Sequence, residues 1–361
     1  MVVIAYFISS HGFGHASRAV STMLAVQDMY PNTSFHVYTE VPYWFFERDL
    51  QEDFVYHSLK TDIGLVQQNA MSEDADATVN ALNQWLPFDP IELKQVGQQL
   101  IQDQCQLVIS DISPYGLAVA DTVGLPTVLT ENFTWDWIYQ SYIHLNPNFE
   151  GFANYFEQIF QTATYRIQIE PVCNVQKRDV CVNPVSRPFR IAPSEMRRKL
   201  SVEDGDPLIM VTMGGISEQY GFLQQLKSIR NVIFLLPGIS PEEKRDDNLI
   251  FIPSDASYHH PDLINTSDCV IGKIGYSTLS EIYHAGVPYG YIPRQLFRES
   301  VPLTEFVDRH MPSMRIEEEV FRSGEWLKKV PELLQLQRIR RREENGADQL
   351  AEWIMTKVVK K

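Results

Sequence analysis

The chain has 361 residues, 44% hydrophobic and 21% charged, the composition of a folded globular protein long enough for two cores. Its 46 acidic residues outnumber 31 basic ones, and a formal net charge of −15 argues against nucleic acid or an anionic membrane surface as the main partner. Four cysteines (Cys105, Cys173, Cys181, Cys269) lack C-x-x-C spacing and disulfide-scaffold density, so they read as reduced thiols of a cytoplasmic protein.

Residues 2–7 are a short apolar run without a basic leader. They read as a buried parallel strand, not a signal peptide or membrane span. No other stretch is apolar and long enough to cross a bilayer, so no firm membrane association is expected. A glycine-rich turn follows, then a predicted helix over 16–30 with Ala16, Val20, Met23 and Leu24 on one face. The next strand covers 35–39. Residues 61–90 are polar and acidic at their centre, fitting a loop or a helix with a solvated face. Strands at 107–110 and 127–130 end in Asp111 and in Glu131-Asn132, and 165–169 closes the first series.

Two prolines within 183–189 mark a linker. Beyond it come a short helix at 195–200 and strands at 208–212, 232–236, 249–252, 269–271 and 289–292. Residues 333–359 carry helical apolar spacing among many Arg, Glu and Lys, which predicts one or two closing surface helices. The pattern predicts an α/β chain of two parallel-sheet, nucleotide-fold domains, 1–185 and 186–361, facing a shared cleft.

Both halves contain a strand, a glycine turn and a helix start, a unit that offers free N–H groups and a positive helix end to an anion. In the first, Gly12-Phe13-Gly14-His15-Ala16-Ser17 lacks the third glycine of the dinucleotide fingerprint, although Glu40 stands near the place of a ribose-binding acid. An NAD site and a ligand-free tight turn both remain open readings. His15 opens the helix, whose positive end disfavours imidazolium, and a neutral ring there suits a general base. His11 and His15 span a turn and have no third ligand nearby, so no metal is expected. Asp111 suits either an orienting partner for His15 or an N-cap for the next helix. Asn132 and Trp135 fit an acceptor pocket or simply core.

In the second half, Gly214-Gly215 follows a strand as a candidate phosphate cradle. Gly275, Ser277 and Thr278 would open a helix towards a diphosphate, with Lys273 adding positive charge and Glu281 accepting two ribose hydroxyls. A capping box between Thr278 and Glu281 fits the same spacing. Asp204-Gly205-Asp206 and Asp74-Ala75-Asp76 read as solvated turns, not metal motifs.

These residues together resemble the GT-B glycosyltransferase superfamily, whose fold is two Rossmann-like domains around a cleft. Phe13-Gly14-His15, Gly214-Gly215 with Ser217, and Gly275, Thr278, Ser280 and Glu281 are similar to motifs of the peptidoglycan UDP-N-acetylglucosamine transferase type. A closer resemblance, covering most of the chain, is to the N-terminal region of plant-type L-arabinokinases. It rests on His11-Gly12-Phe13-Gly14-His15-Ala16-Ser17-Arg18, Ser110-Asp111, Asn132-Phe133-Thr134-Trp135-Asp136 and Lys273-Ile274-Gly275-Tyr276. No Gly/Ser-rich kinase loop is present, so no kinase activity is inferred.

The resemblance implies a metal-independent transferase that moves a sugar from a nucleoside diphosphate, UDP-linked, to a hydroxyl of a small-molecule or glycan acceptor, without a cofactor. Donor binding falls to Gly214, Gly215, Ser217, Lys273, Gly275, Tyr276, Ser277, Thr278 and Glu281. The acceptor side comprises His11, Gly12, Gly14, Asn132 and Trp135, with His15 as base and Asp111 as its partner. A silent nucleotide-sugar-binding regulatory module, or an epimerase or hydrolase on the same fold, remains the alternative.

Overall fold

A computed structural model describes residues 1–50, 54–68, 71–213, 220–253, 258–294 and 296–359. The chain forms two compact units: Met1–Gln68, Glu73–Ser186 and Glu344–Lys361 in the first, Asn69–Ser72 and Arg187–Glu343 in the second.

The first unit is built on a parallel sheet. Its strands are β1 (Val2–Ile8), β2 (Thr33–Thr39), β3 (Phe54–Ser58), β4 (Leu107–Asp111), β5 (Thr127–Glu131), β6 (Tyr165–Ile169) and β7 (Val180–Val182), in the order β3-β2-β1-β4-β5-β6-β7. Every neighbouring pair is parallel. β4 and β5 are buried along their whole length, Asp111 and Glu131 at their ends included, as strands covered on both faces are. The helix α1 (Gly14–Met29) follows β1 and begins at Gly14, two residues earlier than its apolar spacing alone indicates, which brings His15 into its first turn.

In the second unit the strands are β8 (Leu208–Thr212), β9 (Ile233–Pro237), β10 (Lys244–Asp246), β11 (Leu249–Ile252), β12 (Cys269–Lys273), β13 (Tyr289–Ile292) and β14 (Ser313–Arg315). Their order is β10-β11-β9-β8-β12-β13-β14, with only β10 antiparallel to its neighbour. Its core gathers Ile209, Val211, Phe234, Leu236, Ile271 and Trp326, and Met71 belongs to the same cluster. Each sheet is Rossmann-like.

Of the two readings open for residues 61–90, the structure forms a helix over Ala75–Trp85, capped by Asp74, whose side chain accepts the Ala77 N–H at 2.8 Å. The domain boundary at 186 does not carry through to the C-terminus, because residues 344–361 group with the first unit. There the helix Gly346–Ile354 packs on α1. Asn345 and Ser186 exchange hydrogen bonds of 3.2 and 2.8 Å, and an added Cβ on Gly346 would meet the Asn183 carbonyl oxygen at 1.9 Å. That close approach anchors the final helix to the first unit. Among the described residues no helix is long and apolar enough to cross a membrane.

Candidate functional site

In a doubly wound sheet, ligands bind beyond the carboxyl ends of the strands where the winding direction reverses. In the first unit that reversal lies between β1 and β4, since β2 and β3 extend from β1 while β5, β6 and β7 extend from β4. His15 follows β1 and Asp111 ends β4, so both lie at this point.

The His15 Nδ1 is 2.8 Å from Asp111 Oδ1. Arg18, one helical turn beyond His15, grips the same carboxylate with Nε to Oδ2 at 2.7 Å and Nη2 to Oδ1 at 2.5 Å. Its Nη1 donates to Asn132 Oδ1 at 2.8 Å. Asp111, Asn132 and Arg18 are buried, and His15 is 8% exposed. Burial alone would raise the Asp111 carboxyl, but the charge and hydrogen bonds of Arg18, together with His15, hold it below the ordinary carboxylate range. An ionised carboxylate only accepts, so Nδ1 of His15 must be the donor. In the neutral ring Nε2 is then the basic atom. The capping role open to Asp111 belongs instead to Ser113, whose hydroxyl accepts the Gly116 N–H at 3.2 Å.

The rest of the acceptor-side set is mixed. Gly12 is exposed at φ +72°, a conformation that favours glycine, and turns the chain into α1. Gly14 is the first helical residue. The His11 ring packs edge-on against Trp135 at 5.2 Å and its Nδ1 accepts the Leu65 N–H at 3.4 Å. Trp135 is fully buried, with Nε1 donating to Asp62 Oδ2 at 2.8 Å. Its face therefore does not serve a sugar, and core packing accounts for it. Asn132 likewise serves Arg18 rather than an open pocket.

In the second unit the winding reverses between β8 and β12. Gly214, Gly215 and Ser217, which follow β8, lie outside the described residues. Gly272 and Lys273 still belong to β12, and Gly272 pairs with Thr212 so closely that a Cβ there would meet the Thr212 carbonyl oxygen at 2.1 Å. The turn is thus only Ile274 and Gly275, and Gly275 N-caps the helix Tyr276–Ala285. Nothing approaches within 4 Å of a Cβ built on Gly275. Ser277 and Thr278 are half-buried in the first helical turn, which contains no acidic side chain, while Tyr276 is buried. With Gly275 as the cap, the Thr278–Glu281 capping box does not form.

Glu281 is buried, with Oε1 taken by Arg187 Nη2 and Nε at 2.9 and 3.1 Å and Oε2 facing His260 Nδ1 at 2.7 Å. Burial pushes its carboxyl up, and Arg187 and His260 more than reverse this, to about 2. Both oxygens are engaged within the protein, and His260, which faces Oε2, has a side chain that is 25% exposed. Arg18, Arg187 and His260 were the residues missed. Arg18 had a legible signal in its place three residues after His15 on one helical face; for the other two the pairing is long-range.

The two Rossmann-like sheets of this chain make up the GT-B fold of glycosyltransferases. It superposes over 98% of its length on 97% of a UDP-glucosyltransferase from Polygonum tinctorium, with a TM-score of 0.68 at 13% identity. No family model matches the chain. By sequence it is similar to an L-arabinokinase of Arabidopsis thaliana, 25% identical over 330 residues, covering 90% of this chain and 31% of that protein. It is also 26% identical over 226 residues to an uncharacterized glycosyltransferase of Methanopyrus kandleri, covering 59% of this chain and 61% of the relative. The chain therefore spans about a third and about three-fifths of these relatives' lengths.

Proposed function

We propose that the chain transfers a sugar from a nucleoside diphosphate, UDP-linked, to a hydroxyl of a small-molecule or glycan acceptor, without a metal in the transfer step. The observation that carries this reading is the His15–Asp111–Arg18 chain at the reversal point of the first sheet. In the proposed reaction His15 Nε2 takes the acceptor proton as the oxygen attacks the anomeric carbon, and the bond to the diphosphate breaks with its electron pair leaving on phosphate oxygen. Attack opposite the leaving group inverts the anomeric centre. Asp111 fixes the ring through Nδ1, and Arg18 fixes Asp111. Gly275, Ser277 and Thr278 offer backbone and hydroxyl donors to the diphosphate, aided by Lys273, Tyr276 and the Gly214-Gly215-Ser217 segment.

The test is a panel of nucleotide sugars and acceptor alcohols, read by mass spectrometry of the product. His15→Ala should lower kcat by about 10²- to 10⁴-fold while leaving donor binding in place. Wild-type turnover in that variant would refute the assignment of the base. A second reading, nucleotide-sugar binding without transfer, is favoured by the match to roughly a third of a protein named for a sugar kinase. Tight UDP-sugar binding with neither transfer nor hydrolysis, for wild type, would decide for it.

A further inference from the structure

A group of side chains in the first unit lies outside the site described above. His36 is on β2 and His57 on β3, where His57 pairs with Tyr38, two residues along from His36 and hence on the same face of the sheet. Asp103 ends the helix Pro90–Gln102, just before β4. His36 Nδ1 lies 3.1 Å from His57 Nε2 and 3.3 Å from Asp103 Oδ2, and the three atoms fall within 4.8 Å of one another. Asp103 Oδ1 accepts from Gln99 Nε2 at 2.9 Å, whereas Oδ2 is buried with no hydrogen-bond partner.

Hydrogen bonding alone leaves this cluster unsatisfied. Three lone-pair atoms converge, and if His36 Nδ1–H is spent on His57 Nε2, no donor remains for Asp103 Oδ2. A cation at their centre would satisfy all three. Tetrahedral ligands bound at about 2.0–2.1 Å stand ~3.3 Å apart, close to the two short separations. Side-chain exposures of 13% for His36 and 21% for Asp103 leave the cluster open to solvent, the source of a water as fourth ligand.

We propose that His36, His57 and Asp103 bind a divalent transition-metal ion, with Zn²⁺ the ion their two imidazoles and one carboxylate suit. The site is structural: it ties β2, β3 and the turn into β4 together, and Gln99 orients the carboxylate from the second layer. Asp103 precedes β4 whereas Asp111 ends it, so the ion takes no part in the transfer chemistry.

The experiment strips the full chain with a chelator and titrates it with Zn²⁺ by calorimetry and with Co²⁺ by visible absorption. One equivalent should bind, with the absorption of a four-coordinate Co²⁺ site and a higher melting temperature in Zn²⁺. Asp103→Asn and His57→Gln should each weaken binding at least tenfold. Absence of saturable binding, or unchanged affinity in both folded variants, would overturn the proposal. Should a variant fail to fold, Co²⁺ broadening of the wild-type imidazole resonances decides: His36 and His57 must be the rings affected, and selective broadening of other histidines refutes the site.

Discussion

Glu131 offers a quantitative test of the electrostatics at the carboxyl edge of the first sheet. It ends β5 and is 1% exposed; Oε1 accepts from Gln168 Nε2 at 3.2 Å and lies 3.8 Å from Arg166 Nη1, while Oε2 has no hydrogen-bond partner. Burial pushes its carboxyl up to about 7, with Arg166 and Gln168 offsetting only part of the desolvation. Between the unfolded value of 4.5 and this folded value, the folded state keeps a proton that the unfolded chain has released. Stability therefore falls as pH rises through that window, by about 3 kcal/mol at 1.36 kcal/mol per pH unit. Glu131→Gln keeps the shape and removes the titration. The variant should exceed wild type by only about 1 kcal/mol at pH 5 and by about 3 kcal/mol at pH 8. Urea denaturation read by tryptophan fluorescence measures this, because five of the six tryptophans (44, 85, 135, 137 and 353, but not 326) belong to the first unit. A difference independent of pH, or a variant less stable at pH 8, would refute the reasoning.

Arg18→Met leaves the Asp111 carboxylate buried without its cation and should cost about 3–5 kcal/mol in denaturant titration, while adding Asp111→Asn should recover part of that loss. Glu281 titrates in the opposite sense to Glu131: its folded value of about 2 gives stability that is present above 4.5 and lost as pH falls through 2. Glu281→Gln should therefore be less stable than wild type at pH 7, by up to about 3 kcal/mol, with the gap narrowing in melts below pH 4.5. Gly272→Ala forces a Cβ onto the Thr212 carbonyl and should cost about 3 kcal/mol or prevent folding, whereas Gly275→Ala, with open space and extended φ, should change stability by no more than about 0.5 kcal/mol.

The strands legible in the sequence are the buried ones. Leu208–Thr212, Leu249–Ile252 and Tyr289–Ile292 stand where their apolar runs place them, because burial on both faces leaves an unbroken signal. The exposed edge strand Lys244–Asp246 and the partly exposed β3, β7 and β14 went unread, since edge strands need no continuous apolar run. The His15–Asp111 pairing was legible although 96 residues separate the two, because each follows or ends a buried strand at the ligand edge of the sheet. Trp135 misled because an aromatic among polar neighbours reads the same in a pocket or in a core. Its burial depends on Asp62, 73 residues away, which takes the indole N–H.

A histidine joined through Nδ1 to a buried carboxylate that an arginine also holds occurs in both units: His15–Asp111–Arg18 at 2.8 Å and His260–Glu281–Arg187 at 2.7 Å. The arginine has a definite physical consequence. Without it, burial would drive each acid towards its neutral form, and a protonated carboxyl can donate to the ring as well as accept from it, so the tautomer would no longer be fixed. With the arginine the acid stays ionised and acceptor-only, and the ring must donate from Nδ1. Each unit thus uses a buried cation to set which nitrogen its histidine offers. Arginine suits the task because its guanidinium stays charged and its fork grips each carboxylate with Nε and Nη2 together, which lysine cannot do.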